Sequence, residues 1–394
     1  MDASYFIARK LRFKGKIAVA CIAVSFLVMI IAVSVSGGFR HEIRQGLSDL
    51  TGDIRITPPD RNVLDEGSPI EAEPSYLPYV KDINEIDRIV PVVYRAGIVR
   101  EDGNIHGVLF KGVPMDEFPS AVSDSVQLAV CIPSRLADIT GLSEGDVMSA
   151  YFVGESVKAR RFNVVSVYES MIETDDKLTV YAALPDMQRL NGWDEGSVSS
   201  LEVILESDKR DEKDIRKAGE EVGSLINLYS SDEEASVIAV SSVSEYPQIF
   251  GWLDMIDFNV FFILLLMTIV AGFNMISGLL IMLFENISTI GLLKSLGMTD
   301  KAIAKVFLSS SAVLTIKGMA MGNAIAILFC VIQTSTHQLK LDPSNYFVSF
   351  VPVRMNLGLV LAADAGAFAV IMVLLLIPCL FISKVDPAET VRVK

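Results

Sequence analysis

Histidine, cysteine and tryptophan are scarce in this chain, at three, four and two residues in 394. His41, His106 and His337 are scattered, and no spacing among them suggests a metal centre. Cys21, Cys330 and Cys379 fall in apolar runs and Cys131 stands alone in a hydrophilic segment, which excludes a disulfide framework there. Nucleotide-binding and hydrolase signatures are missing too. A phosphate-cradling loop needs G-x-x-x-x-G-K-[ST] after a strand, and neither "KGK" near residue 15 nor "GLLKSLG" supplies it. There is no G-x-S-x-G, no H-E-x-x-H, and no Ser, His and Asp set in a recognisable context. Carboxylate pairs such as Asp175 with Asp176 read as a solvated face. No site for catalysis, cofactor or metal is legible.

Apolar residues, by contrast, are abundant at 51%, more than a soluble domain of this size carries. Uncharged or nearly uncharged runs stand out at Ile17–Val35, 258–284, 306–332 and 357–382. Each is long enough to cross roughly 30 Å of hydrocarbon at about 1.5 Å per residue. The formal net charge is −14, but it is unevenly spread. The head (Arg9, Lys10, Arg12, Lys14, Lys16), the loop after the second run (Lys294, Lys301, Lys305) and the tail (Lys384, Arg392, Lys394) are basic. Residues 39–257 hold about twice as many acids as bases. The positive-inside rule then places both termini and the loop in the cytosol and the large acidic segment outside. Acidity argues against nucleic acid as a partner. The first run follows a charged leader and is long for a cleavable signal, so it reads as an uncleaved anchor.

The expected fold is a membrane protein of four transmembrane α-helices with a large mixed α+β domain outside, carried on stalk helices. Residues 1–38 form the leader and first span, and 39–52 a stalk in which Phe39, Ile43, Leu47 and Leu50 recur at helical spacing. Residues 53–240 form the outer domain, with strands at "DIRITP", "VPVVYRAGIVRE", "IHGVLFKGV" and "SLEVILES". Helices are expected at "PSRLADITGL", "LPDMQRLNGW" and "KRDEKDIRKAGEEVGSLIN". "DGN" (Asp102–Asn104) reads as a hairpin turn, and 61–78 as an irregular loop. Residues 241–257 return as a second stalk, with Phe250 and Leu253 on its apolar face, and 258–394 hold the remaining three spans.

Two charges lie inside spans, Lys317 near the middle of the third and Asp364 about seven residues, roughly 10 Å, into the fourth. Each needs a partner, a polar cavity or the interface. A mutual pair is one solution, and separate locations at interface and water another. Gly318 with Gly322, and Gly272 with Ser277 and Gly278, form small-residue faces suited to close helix packing, within one bundle or between copies. The loop "FENISTIGLLKSLGMTDKAIAKVF" (284–307) is longer than a turn requires. Asn286 can cap a helix with Ile287, Ile290, Leu293 and Leu296 as an apolar stripe, ended by Gly297, and Thr299 with Asp300 can start the next helix. A stripe with only Lys294 on its polar side favours a groove on a partner protein over a lipid surface.

"WLDMIDFNVFFILLLMTIVAGFNMISGLLIMLFENISTIGLLKSLGMTDKAIAKVFL" resembles the second span and following loop of lipoprotein-releasing ABC transporter permeases of the LolC and LolE type, within the FtsX and MacB-like group. The tail "ISKVDPAETVR" resembles that group's ending, and "GFRHEIRQGLSDLTGDIRI" its first stalk. "GLSEGDVMSAYFVGESVKARRFNVVSVYES" is similar to its periplasmic domain. The resemblance implies a MacB-like periplasmic core, an inner-membrane location and a separate cytosolic ATPase that holds ATP and magnesium. It also implies a second permease copy, as homodimer or LolC/LolE-like heterodimer, and lipoprotein cargo. The loop at 285–298 becomes the coupling helix, with Glu285, Asn286, Ile290, Gly291, Leu293, Lys294, Leu296 and Gly297 toward the ATPase. Phe39, Ile43, Phe250 and Leu253 become candidates for an acyl-chain entry or for packing between stalks. Two departures are visible. Family members carry Glu-Arg where this chain has Glu285 and Asn286, and the long hooked hairpin that some use for a periplasmic chaperone is only the short 152–161 here. An FtsX-type signalling subunit acting on an external hydrolase and a MacB-type efflux permease remain the alternatives.

Overall fold

The computed structural model describes residues 16–380, apart from 61–67, 102–103, 120–126, 155–156, 171–177, 208, 343–345 and 347. The basic head, the tail motif and the "DGN" turn residues Asp102 and Gly103 lie outside the described residues. The chain divides into two compact units, one made of residues up to Arg40 with Leu253–Leu339 and the segment from Val351, the other of His41–Trp252 with Lys340–Phe350.

The first unit is helical. Among the described residues four helices are long and apolar enough to cross a membrane: Lys16–Thr51, Pro247–Glu285, Asp300–Thr336 and Leu357–Cys379. The first two are longer than their apolar runs: the first continues without a break to Thr51 through the segment expected as a stalk, and the second begins at Pro247, inside the expected return stalk, after a separate short helix at Ser242–Glu245. Their packing depends on glycine. A Cβ on Gly322 would lie 2.4 Å from the Ala23 carbonyl oxygen, one on Gly318 2.7 Å from Ile22, and one on Gly272 2.5 Å from Leu374. The small faces therefore serve contacts within this chain, bringing the third helix onto the first and the second onto the fourth. Ile22, Phe26, Met275, Leu279, Ile303, Phe307 and Ile371 form the buried core between them. Near the end of this unit, Ser36 Oγ donates to Asp257 Oδ1 at 2.8 Å, and Arg40 pairs with the same carboxylate. Residues 352–354 lie along the first helix: Arg354 N donates to Ser34 O at 3.0 Å, and a Cβ on Gly38 would lie 2.3 Å from Pro352 O.

Among its described residues the second unit has eleven strands. β1 (Ile54–Thr57), β2 (Ile70–Glu71), β3 (Ile86–Glu101), β4 (Asn104–Val113), β5 (Ala129–Pro133), β6 (Val147–Phe152), β7 (Lys158–Tyr168), β8 (Thr179–Ala183), β9 (Ser197–Val198), β10 (Ser200–Leu205) and β11 (Ile238–Ser241) follow in order. The main sheet runs β11-β1-β10-β3-β4-β8-β5-β7-β6, and β6 returns to pair with β3 through Ile98↔Tyr151 and Val99↔Ala150. Six strands thus close into a small barrel, while β10, β1 and β11 extend from the first half of the long β3. Closure removes the free edges that an open sheet exposes. Side chains fill the interior: Phe110, Phe152 and Phe162 pack with centroids 4.9 to 6.2 Å apart. Gly97 is required there, since its Cβ would sit 2.9 Å from ring atoms of Phe110 and Phe152.

The expected helices form at Ser134–Thr140, Leu184–Asn191 and Glu212–Tyr229, the first two ended by Gly141 and Gly192 in left-handed conformation. The β3–β4 pairing reaches Glu101↔Asn104, so a two-residue connection joins them, and the β6–β7 pairing reaches Phe152↔Lys158.

Candidate functional site

The loop between the second and third spans holds a nine-residue helix, Ile287–Ser295. Its end is a Schellman turn: Met298 N donates to Leu293 O at 3.0 Å and Gly297 N to Lys294 O at 2.9 Å, with Gly297 at φ +85°. This is the backbone state glycine adopts without the Cβ penalty. Thr299 Oγ1 then accepts from Ala302 N and starts the third span. Lys294 Nζ crosses the turn to Asp300 at 2.9 Å, tying the end of this helix to the start of the third span. Lys294 is therefore engaged inside the loop.

Two expectations are corrected here. Asn286 makes no side-chain cap for this helix; its Nδ2 donates back to Met282 O at 2.9 Å and closes the preceding span. The apolar stripe also divides. Ile290 is 1% exposed and, with Leu293 packed beside it, belongs to the core of the span bundle, and Gly291 is buried as well. A helix this short, tied at both ends, must turn one apolar row inward to avoid leaving its own bundle uncovered. What remains outward is Ile287 at 37%, Leu292 at 56% and Leu296 at 76% exposure, next to exposed Glu285. Leu292 was not singled out by the sequence pattern.

Phe39, Ile43, Phe250 and Leu253 are all buried within the single chain. In this conformation they are packing residues and offer no free surface. The mutual pair of intramembrane charges does not form: Lys317 is exposed on its helix, and Asp364 is bonded to Asn323, whose Nδ2 lies 2.5 Å from Asp364 Oδ2. Asn323 is six residues, about 9 Å, farther along the same helix, and it is this residue that stands level with Asp364.

The strongest electrostatic constellation was missed. At the end of the first long helix, Lys111 Nζ on β4 donates to Asp49 O at 3.0 Å and Leu50 O at 2.9 Å, and pairs with Glu202 Oε2 on β10 at 2.9 Å. The lysine and glutamate side chains are 3% and 2% exposed. Tyr181 OH donates to Asp49 O at 3.1 Å, and Tyr94 OH donates to Glu202 Oε1. Burial, reinforced by Glu202, pushes both tyrosines well above the ordinary phenol range, so they remain donors at any physiological pH. A cation on the carbonyl end of a helix is favoured by the helix dipole. The carbonyls left open by the last turn are thereby bonded to the sheet. Nearby, Asp53 Oδ2 accepts from Ser48 Oγ at 3.0 Å and from Leu205 N at 2.8 Å, and Ser242 N donates to Asp53 O at 2.9 Å. The helix end is thus held by side chains from β3, β4 and β8, with Tyr94 OH also 3.4 Å from Leu50 O, and Glu202 on β10 secures Lys111 and Tyr94. The available signals were a lysine inside the apolar strand "VLFKGV" and a glutamate inside "SLEVIL".

Residues 261–387 match the model of the FtsX-like permease C-terminal domain. Over 401 aligned residues, 95% of this chain and 93% of its relative, the sequence is 21% identical to the lipoprotein-releasing system transmembrane protein LolC of Neisseria meningitidis serogroup B. It is 22% identical to the uncharacterized ABC transporter permease MJ1507 of Methanocaldococcus jannaschii, over 60% of this chain and 56% of that one. Among solved structures, the extracellular domain of the ABC-type transporter YknZ from Gram-positive bacteria aligns with 14% identity and a TM-score of 0.31, covering 48% of this chain and 99% of that one. The periplasmic region of MacB from Actinobacillus actinomycetemcomitans aligns with 14% identity and a TM-score of 0.32, covering 50% and 91%. The resemblance read from the sequence therefore holds: the chain carries an FtsX-like permease domain and is similar over nearly its whole length to an ABC transporter permease of the LolC type.

Proposed function

We propose that this chain is the membrane subunit of an ATP-driven transporter that releases lipoproteins from the inner membrane toward the outer membrane. The carrying observation is the helix Ile287–Ser295, joined to the third span by the Gly297 turn and the Lys294–Asp300 pair, with Ile287, Leu292 and Leu296 left exposed. Exposed leucines on a short, rigid helix are suited to a groove on a partner protein. In this reading the partner is a cytosolic ABC ATPase, which supplies the nucleotide site that the sequence lacks. Two permease copies, identical or homologous, pair in the membrane. ATP binding on the partner moves the loop helix and the spans joined to it. The Lys111–Glu202 clamp passes that movement from the end of the first helix into the barrel domain. A lipid-anchored protein is a cargo compatible with a pump that works on the outer leaflet and needs no continuous channel.

The test uses the double variant Leu292→Asp with Leu296→Asp, which adds charge only to the exposed row. Membrane insertion should persist, while co-purification with the ATPase and stimulated ATP turnover are lost; unchanged association overturns the coupling site. Cargo is tested separately by depletion. Retention of lipoproteins in the inner membrane supports the release reading. Cell-wall defects without such retention support an FtsX-type role, and toxin sensitivity alone a MacB-type one.

A further inference from the structure

Asp364 is buried at 6% exposure in the middle of the bundle, one helical turn from Val360 on one side and Ala367 on the other, themselves 8% and 4% exposed. Asn323 Nδ2 donates to its Oδ2 at 2.5 Å. The two remaining oxygens of the pair, Asp364 Oδ1 and Asn323 Oδ1, are both sealed from solvent and without a hydrogen-bond partner. Two bare acceptors on the same pair of planar groups repel if the carboxylate is ionised, and an ionised carboxylate in hydrocarbon surroundings is costly. A single proton removes both problems. Placed on Asp364 Oδ1, it can be donated to Asn323 Oδ1 while Asn323 Nδ2 donates to Asp364 Oδ2, the closed acid–amide ring in which every polar atom is used.

We propose that Asp364 and Asn323 form an intramembrane proton-binding site, in which the acid is held neutral while spans three and four are packed together. Other titratable groups nearby do not compete for the carboxyl. The first helix, packed on Gly318 and Gly322, brings Cys21; span three brings exposed Lys317 and buried Cys330; none is bonded to Asp364. Span two, packed on span four through Gly272, has no titratable side chain between 258 and 284. Parting spans three and four breaks the ring, admits water and releases the proton; repacking takes one up. The site is independent of cargo and of the ATPase groove.

Infrared difference spectroscopy on the full-length protein in lipid nanodiscs tests this directly. Asp364→Asn replaces the acid–amide ring with an amide–amide ring of the same shape, so the packing survives. The parent protein should show a protonated-carboxyl C=O band at neutral pH that is absent from Asp364→Asn. Asn323→Leu should shift the frequency of that band, because the acid loses the amide to which it is bonded. Thermal midpoints should agree with the sign: the parent loses stability as pH rises through release of this proton, whereas Asp364→Asn does not. Parent and Asp364→Asn spectra without a difference in the carboxyl band at neutral pH would overturn the proposal. A carboxyl band that responds to sodium and not to pH would overturn it in favour of a cation site.

Discussion

At the scale of single residues, Lys111 decides most. Its ammonium group meets two carbonyls and a carboxylate in a place that water does not reach. Lys111→Met should therefore leave Glu202 charged and unpaired and the Asp49 and Leu50 carbonyls empty, at a cost of about 3–5 kcal/mol. Adding Glu202→Leu removes the stranded charge and should recover a large part of that loss in thermal unfolding of the purified protein, because an apolar pair avoids the desolvation of the ionic one. If the recovered double variant folds but no longer couples ATP turnover to release, the clamp has a role in transmission beyond stability. Sequence reading passed over this lysine because alternation in a strand sends every second residue to one face, and nothing local says that the face is covered by a helix from sixty residues earlier.

At the scale of elements, most helices and strands were legible, since hydrophobic periodicity, glycine stops and the Thr299 cap are local signals. The closure of the barrel was not. It depends on two residue pairs between β3 and β6, some fifty positions apart, and no pattern within either strand encodes it. The loop helix was legible as an element but not in its orientation, because Ile290 and Leu293 are spoken for by the bundle in which they sit. Its Gly297 sits at φ +85°, so Gly297→Ala should cost about 1 kcal/mol and loosen the angle at which Leu292 and Leu296 are presented. Weaker ATPase binding with unchanged insertion is the expected readout. Gly322 is a harder constraint. A Cβ there meets the Ala23 backbone, so Gly322→Leu should destabilise the bundle by about 1–3 kcal/mol, read as a lowered thermal midpoint in detergent.

At the scale of the molecule, the charge asymmetry makes a topological prediction. A membrane-impermeant maleimide applied to cells with a permeable outer envelope should label Asp232→Cys and should not label Ser288→Cys until the inner membrane is opened. Native Cys131 stays silent in this assay, being fully buried with its thiol pushed up to about 11 by burial and then by Glu144. Labelling of Ser288→Cys from outside would reverse the assigned orientation. The composition made the membrane character and the two-part organisation readable. What it did not carry was how a helix that leaves the membrane is joined to the domain it enters.

The Gly37–Gly38 pair gives that first helix a mechanical character of its own. A continuous 36-residue rod, about 54 Å long, would carry a tilt from end to end without loss, but paired glycines are where a helix bends most readily. Residues 352–354 lie against that point through Pro352 and the Arg354–Ser34 bond, like a splint on a flexure. Gly38→Ala should therefore push Pro352 off the helix and lower the thermal midpoint in detergent, while leaving the barrel core around Phe110 and Phe152 intact.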